Sequence, residues 1–312
     1  RATITGWGKY LPPNVMTNKD LEKIVDTTDE WIQKRTGIKK RRIADEDTAT
    51  SDLALEASKA ALKKADLDPK ELDLIIVSTV TPDMAFPATA CIIQDAIGAD
   101  NAAAFDLEAG CSGFVYGLSV GAQFIESGLY DNVLVIGAET LSKITDWDDR
   151  NTCVLFGDGA GAAVLQPTEK GGFLSFDLGS DGSGADALYM EAGGSLNPAS
   201  LETVKNRQHY IRMEGNPVFK FAVKTMKNAS KDVLKKANLT TDDIDLLIPH
   251  QANTRIIKSA RRRLKLDEEE VYVNLPEVGN TSSASVAIAL TEAVEKGKIK
   301  NGDHILLVAF GA

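Results

Sequence analysis

Sulfur and imidazole are scarce in this chain: its 312 residues include three cysteines and three histidines. The cysteines (Cys91, Cys111 and Cys153) are odd in number and lack metal-ligand spacing. That pattern excludes a disulfide framework, makes a zinc site unexpected and predicts free thiols in a reducing, cytoplasmic setting. No apolar run is long enough to cross a bilayer, so no membrane partner is expected. The opening RATITGWGKYLPP lacks a charged leader followed by an apolar core, which predicts no secretory signal. Acidic residues outnumber basic ones, 45 to 35, and a net charge of -10 argues against nucleic acid as the main partner. The glycine-rich GDGAGA (157–162) has the wrong spacing for a dinucleotide loop and no helix pattern follows it, so close strand packing is the expectation. What remains is the composition of a globular protein, 43% hydrophobic and 26% charged.

The chain is written twice. The stretch Gly110-Cys111-Ser112-Gly113 and the helical pattern after it lie on Gly279-Asn280-Thr281-Ser282 and its helix at a constant offset of 169. Glu108/Glu277, Gly110/Gly279, Glu126/Glu295 and Gly128/Gly297 are identical pairs. At an offset of 172, Ala57-Ser58-Lys59 matches Ala229-Ser230-Lys231, ELDLIIVS (71–78) matches DIDLLIPH (243–250), and Asp131 to Ile136 matches Asp303 to Val308. Two copies are too few for a solenoid, so the pattern predicts two packed halves, 1–170 and 171–312.

Short aliphatic runs alternate with helical patterns in both halves. Strands are predicted at 72–78, 102–107, 132–138, 161–166, 244–249, 270–275 and 304–310, and helices at 51–65, 112–127, 216–237, 252–264 and 281–296. Ser51 is read as the cap of its helix, with Asp52 in the first turn. Near-continuous apolar strands separated by such helices imply a parallel-rich sheet covered on both faces, and two halves imply α-β-α-β-α layering. The first copy continues through LFGDGAGAAVL, whereas the second stops soon after its matching strand, so a final strand of the second half is expected to be missing.

Cys111 is the candidate nucleophile. It follows a strand and heads a helix, where unpaired N–H groups and partial positive charge would lower a thiol's pKa. Cys91 and Cys153 sit in apolar surroundings and read as buried, inert thiols. His250 ends a strand, the place where doubly wound sheets build ligand sites, while His209 and His304 read as surface residues. Asn280, opposite Cys111 in the repeat, is the third member; it could also serve as the cap of the helix after it. The same residue types serve papain-like hydrolases, but no CGSCW signature surrounds Cys111.

The helix-opening cysteine and the duplication resemble the thiolase superfamily. Within it, DTTDEWIQKRTGIKKRRIA (26–44), EAGCSGFVYGL (108–118), LFGDGAGAAVL (155–165), PHQANTRII (249–257) and GNTSSAS (279–285) resemble the β-ketoacyl-[acyl-carrier-protein] synthase III family in family order. The resemblance implies a five-layered thiolase-like α/β fold and an acyltransferase that joins a short acyl-CoA to malonyl-[acyl-carrier-protein], initiating fatty-acid synthesis. Coenzyme A enters as a thioester substrate, and no cofactor or metal is implied. Cys111, His250 and Asn280 become the catalytic set, and the backbone N–H groups of Cys111 and Ala312 the oxyanion hole. Thr27, Trp31, Arg35, Arg150, Asn216 and Arg255 match the family's CoA-binding positions. Phe86 matches a residue that reaches across a homodimer interface to bound the acyl pocket. TRIIKSARRRLK (254–265) alone could be a solvated helix face. The family's acidic carrier protein gives Lys220, Arg255, Arg262 and Arg263 a docking role. A related condensing enzyme of a secondary-metabolite pathway, an acyl-thioester hydrolase and a non-catalytic carrier-binding module are the alternatives.

Overall fold

In the computed structural model, which describes residues 1–311, the first half builds a five-stranded sheet and a small antiparallel pair, Val15–Thr17 with Lys40–Arg42. The strands of the large sheet are β1 (Ala2–Tyr10), β2 (Leu74–Ser78), β3 (Ala103–Leu107), β4 (Val133–Glu139) and β5 (Gly159–Pro167), ordered β1-β5-β4-β2-β3. The β4, β2 and β3 strands run parallel, with Ile76 opposite both Val135 and Phe105, while β5 is antiparallel to its neighbours β4 and β1. Every residue of β2 and β4 is buried, as expected for central strands covered on both faces. The second half contributes β6 (Leu246–Pro249) and β7 (Ile305–Val308), paired in parallel with Leu246 opposite Ile305.

The helices sort these sheets into layers. At the rim stands α1 (Asp29–Thr36). The outer face of the large sheet is covered by α2 (Thr50–Ala65) and α3 (Thr89–Ile97), whose Leu53, Ala57, Ala61 and Ile93 pack on Ile75, Val77, Leu134 and Ile136. Between the sheets run α4 (Gly113–Glu126) and, from the second half, a helix at Ala284–Glu295. The outermost layer is α5 (Gly215–Lys236) and α6 (Thr254–Leu264), placing Met226, Leu234, Ile256 and Ile257 against Leu247, Leu306 and Val308. Numbered in order, the central second-half helix is α7 (Ala284–Glu295). The result is the expected helix–sheet–helix–sheet–helix body.

The middle layer explains why the two copies diverge in composition but not in pattern. Residues Ala284 to Ala293 of α7 are all buried, because sheet or helix meets the helix on every side. Gly113, Gly117 and Gly121 form a stripe on α4 that lets the backbone lie against the large sheet; a Cβ at Gly117 would stand 2.7 Å from Val135. Gly161 does the same for β5 against α7, where a Cβ would meet Ala287 at 2.5 Å. Each large aliphatic side chain closed into these interfaces contributes about 1.5–3 kcal/mol.

The structure corrects three local expectations. The segment 270–275 is not a strand: Val271 makes an isolated bridge to Leu247, and Leu275–Val278 is a helical turn with Pro276 at its start. The β-branched run suggested a strand, but its pairing stops at that one bridge and the chain turns helical at Leu275, with Pro276 suited to a helix start. The cap of α2 is Ala49, whose N–H donates to Asp52 at 2.8 Å, while Ser51 lies inside the helix and donates to Asp83 instead. Cys91 is exposed on α3, although Cys153 is buried as expected. Among the described residues no helix is long and apolar enough to cross a membrane.

Candidate active site

The same backbone turn introduces a polar residue in each half. Gly110 (φ +51°) and Gly279 (φ +73°) adopt the left-handed conformation that glycine enters without a Cβ penalty. Each therefore reverses the chain just before Cys111 and Asn280. Cys111 occupies a 3₁₀ turn, Gly110–Ser112, that runs directly into α4. Asn280 is held by its own backbone, donating to the Leu155 carbonyl and accepting from the Gly157 N–H, both at 2.9 Å. It does not cap α7, which starts four residues later. Its Oδ1 instead accepts the Ser282 N–H at 2.9 Å, leaving the Nδ2 hydrogens for the cavity that Asn280 lines.

His250 follows the last residue of β6, and its N–H donates to the Val308 carbonyl at 2.7 Å, so the parallel strand pair aims it. The imidazole is 1% exposed, and burial pulls it down to about 3, so it is neutral at physiological pH. Its ring meets Phe310 edge-on at 5.2 Å between centroids, and Nδ1 lies 2.5 Å from Ser285 Oγ.

The thiol departs from expectation. Burial pushes Cys111 up to about 12; a hydrogen bond from Ser282 opposes that, the charge of buried Glu139 adds to it, and the residue's own N–H opposes it. Desolvation outweighs the hydrogen bonds that favour the anion, so the resting group is a thiol. Glu139, at the end of β4, is fully buried, which raises its own pKa. The Thr81 and Ser283 hydroxyls, each at 2.7 Å, pull the other way. Glu139 thereby ties the end of β2 to the loop that carries Asn280.

One cavity of about 1680 Å³ brings Cys111, His250 and Asn280 together, with Phe156, Leu188, Phe219 and Phe310 among its apolar walls. Gly311 packs so closely on Cys111 that a Cβ there would stand 2.6 Å from Cys111 Cβ. Ala312 lies outside the described residues. Phe86 is 85% exposed and does not line the cavity of this chain.

None of the matched CoA positions is in the wall of this cavity, although Gly215, Pro217 and Ile256, next to Asn216 and Arg255, are. Trp31 carries two guanidinium groups over its ring, Arg150 at 4.9 Å and Arg35 at 5.6 Å from the centroid. Thr27 Oγ1 is a buried hydroxyl without a partner. Arg255 stacks over Phe219 at 5.4 Å, and exposed Asn216 lies in the first turn of α5. Asn253 and Thr254 donate to the carbonyls of Arg35 and Thr36 at 3.0 and 3.1 Å, fastening α6 to α1. Lys220, Arg262 and Arg263 are exposed, whereas Ile256, Ile257, Ala260 and Leu264 of α6 face inward.

A buried cysteine that shares one cavity with a neutral histidine and an asparagine carboxamide suits an acyl-transferring condensing enzyme of thiolase-like fold. Two models for 3-oxoacyl-[acyl-carrier-protein] synthase III match the chain, one at residues 105–182 and its C-terminal counterpart at 234–312. A β-ketoacyl-[acyl-carrier-protein] synthase III of Caldanaerobacter subterraneus is 65% identical over 312 residues, covering 100% of this chain and 94% of that protein. The Clostridioides difficile enzyme of the same description is 57% identical over 100% of this chain and 95% of its own length. The crystal structure of the synthase III from Thermus thermophilus superposes with a TM-score of 0.93 at 48% identity, covering 99% of this chain and 95% of that one. The chain belongs to the β-ketoacyl-[acyl-carrier-protein] synthase III family.

Sequence reasoning passed over Ser282, Ser285, Glu139 and Gly311. The repeat could have flagged Ser282 and Ser285, which fall opposite Gly113 and Tyr116 at the offset of 169. Glu139 carried no signal, because an acidic residue at a strand end reads as solvent-facing.

Proposed function

We propose that this enzyme catalyses the decarboxylative condensation of a short acyl-CoA with malonyl-[acyl-carrier-protein], giving 3-oxoacyl-[acyl-carrier-protein], CoA and carbon dioxide, and so starts fatty-acid synthesis. The observation that carries the reading is the shared cavity of Cys111, His250 and Asn280. Cys111 Sγ attacks the acyl carbonyl carbon, the bond from that carbon to the CoA sulfur breaks, and the thiol proton leaves with CoA. Because the resting sulfur is protonated, attack and deprotonation are coupled, and the N–H groups heading α4 stabilise the anion as it forms. The Cys111 N–H, with that of Ala312, holds the tetrahedral oxyanion; such a donor contributes on the order of 3 kcal/mol.

In the second half-reaction the bond between the malonyl methylene and its carboxylate breaks, and the electron pair enters an enolate. Neutral His250 and the Asn280 carboxamide donate to the enolate oxygen. Neutrality matters here, because a carboxylate at either position would repel the developing charge. The enolate carbon then attacks the acyl-cysteine, the bond to Sγ breaks, and the departing thiolate takes up one proton from solvent to restore the thiol.

Trp31, Arg35 and Arg150 receive the adenine and phosphates, with Thr27, Asn216 and Arg255 along the rest of the CoA chain. Coenzyme A is a substrate in this scheme, with no resident cofactor or metal. Lys220, Arg255, Arg262 and Arg263 steer the acidic carrier protein. The assembly is a cytoplasmic homodimer in which Phe86, exposed on one copy, closes the acyl pocket of the other. The test is incubation of purified protein with acetyl-CoA and malonyl carrier protein. Condensed product supports the synthase, free acid would indicate a hydrolase, and carrier binding without turnover a docking module.

A further inference from the structure

We propose that Ser285 is a positioning residue that fixes the tautomer of His250, so that Nε2 and not Nδ1 carries the ring hydrogen presented to the cavity. The inference rests on the donor role proposed for His250 and adds the group that enforces it.

Ser285 sits in the first turn of α7, is 1% exposed, and places its Oγ 2.5 Å from His250 Nδ1. The same oxygen accepts the Gln251 backbone N–H at 3.4 Å. Two arrangements satisfy the short contact. If Nδ1 bore the hydrogen and donated it, the Ser285 oxygen would accept twice, and its own hydrogen would find no acceptor among the described residues. A buried hydroxyl is costly to leave so. If Ser285 donates to Nδ1, every hydrogen is placed: Gln251 N–H to Oγ, Oγ–H to Nδ1, and the remaining ring hydrogen on Nε2. Burial keeps the imidazole neutral, so it has one hydrogen to place, and the hydroxyl decides which nitrogen holds it. The wrong tautomer would turn a lone pair toward the enolate oxygen and convert attraction into repulsion.

The backbone makes this geometry robust. The Val308 carbonyl fixes His250 through its N–H, and the Ser282 carbonyl accepts the Ser285 N–H at 3.1 Å. Ring and hydroxyl are therefore held by different elements, β6 and α7, that meet at this point.

The test begins with the unmodified protein. With three histidines in the chain, ¹⁵N-histidine labelling gives a readable spectrum, and His250 should show a protonated Nε2 and an unprotonated, hydrogen-bonded Nδ1. A hydrogen on Nδ1 would overturn the proposal without any variant. Ser285→Ala should then yield a mixed or reversed tautomer and slow malonyl decarboxylation about 10- to 100-fold, by analogy with the groups that orient metal-bound histidines. Acylation of Cys111 by acyl-CoA serves as the control for folding. Ser285→Thr, which keeps the hydroxyl, should restore most of the loss. An alanine variant with unaltered tautomer and decarboxylation would also overturn it. A switched tautomer with undiminished decarboxylation would leave the Ser285 assignment standing and remove His250 from the enolate site.

Discussion

The two halves of this enzyme share a strand and helix pattern and place different side chains at matching positions. At the end of the matching strand one half has Ser78 and the other His250; after the matching glycine one has Cys111 and the other Asn280. Ser78 spends its hydroxyl on structure, donating to the Gly113 carbonyl at 2.8 Å, whereas His250 is aimed by the same corner of the fold into the cavity. Duplication thus supplies a positive-φ glycine followed by a central helix twice, with Cys111 after the glycine in one half and Asn280 in the other. On the proposed mechanism the covalent step and the carbanion step fall to different elements, so variants should separate them.

Removing the nucleophile should have the largest effect. Cys111→Ala is expected to abolish transfer of labelled acyl groups from acyl-CoA to protein, with condensation lost as a consequence. Labelling at the normal level in that variant would mean the covalent half had been misassigned. One step smaller, His250→Ala and Asn280→Ala should each retain acylation of Cys111 and lose about 10²- to 10³-fold in malonyl decarboxylation, the range for removing a donor from a developing oxyanion. Equal loss of both half-reactions in either variant would erase the division of labour.

The halves should also differ in their response to acid. His250 is buried with a folded value near 3, below the ordinary 6.5, and its counterpart Ser78 does not titrate. The unfolded chain binds a proton at this residue below about pH 6.5 and the folded chain does not. Stability linked to His250 is therefore present above pH 6.5 and falls as the pH drops toward 3, by up to about 1.4 kcal/mol per unit. Denaturant titrations of the parent protein and His250→Asn at pH 7 and pH 5 measure the difference. The parent should lose more than the variant, and parallel losses would show that the imidazole charges without strain.

What the sequence revealed and what it hid divide on physical lines. The repeat offsets carried the strand pairs β2/β6 and β4/β7 and the pairing of Cys111 with Asn280, because apolar period and glycine placement are local properties. The run 270–275 misled, since β-branched residues signal a strand but not the partner it requires. The state of Cys111 was misread because a helix start is visible in sequence while burial is a property of the assembled cavity. Ser285 was hidden for the same reason: it lies 35 residues from His250, and a serine in an apolar helix is silent until the strand end arrives beside it.

The smallest expected effect concerns the outer surface of the second half, where charge separates α6 from the rest of an acidic protein. Its buried stripe of Ile256, Ile257, Ala260 and Leu264 is independent of exposed Arg262 and Arg263, so both arginines can be reversed without touching the core. Arg262→Glu/Arg263→Glu should leave acylation by acyl-CoA unchanged and raise the KM for malonyl carrier protein roughly tenfold at low salt, with kcat little altered. Because these charges are solvent-exposed, the penalty should shrink as ionic strength passes about 0.15 M and the screening length drops to ~8 Å. A change in kcat that persists at high salt would place the arginines in the reaction rather than on the approach to it.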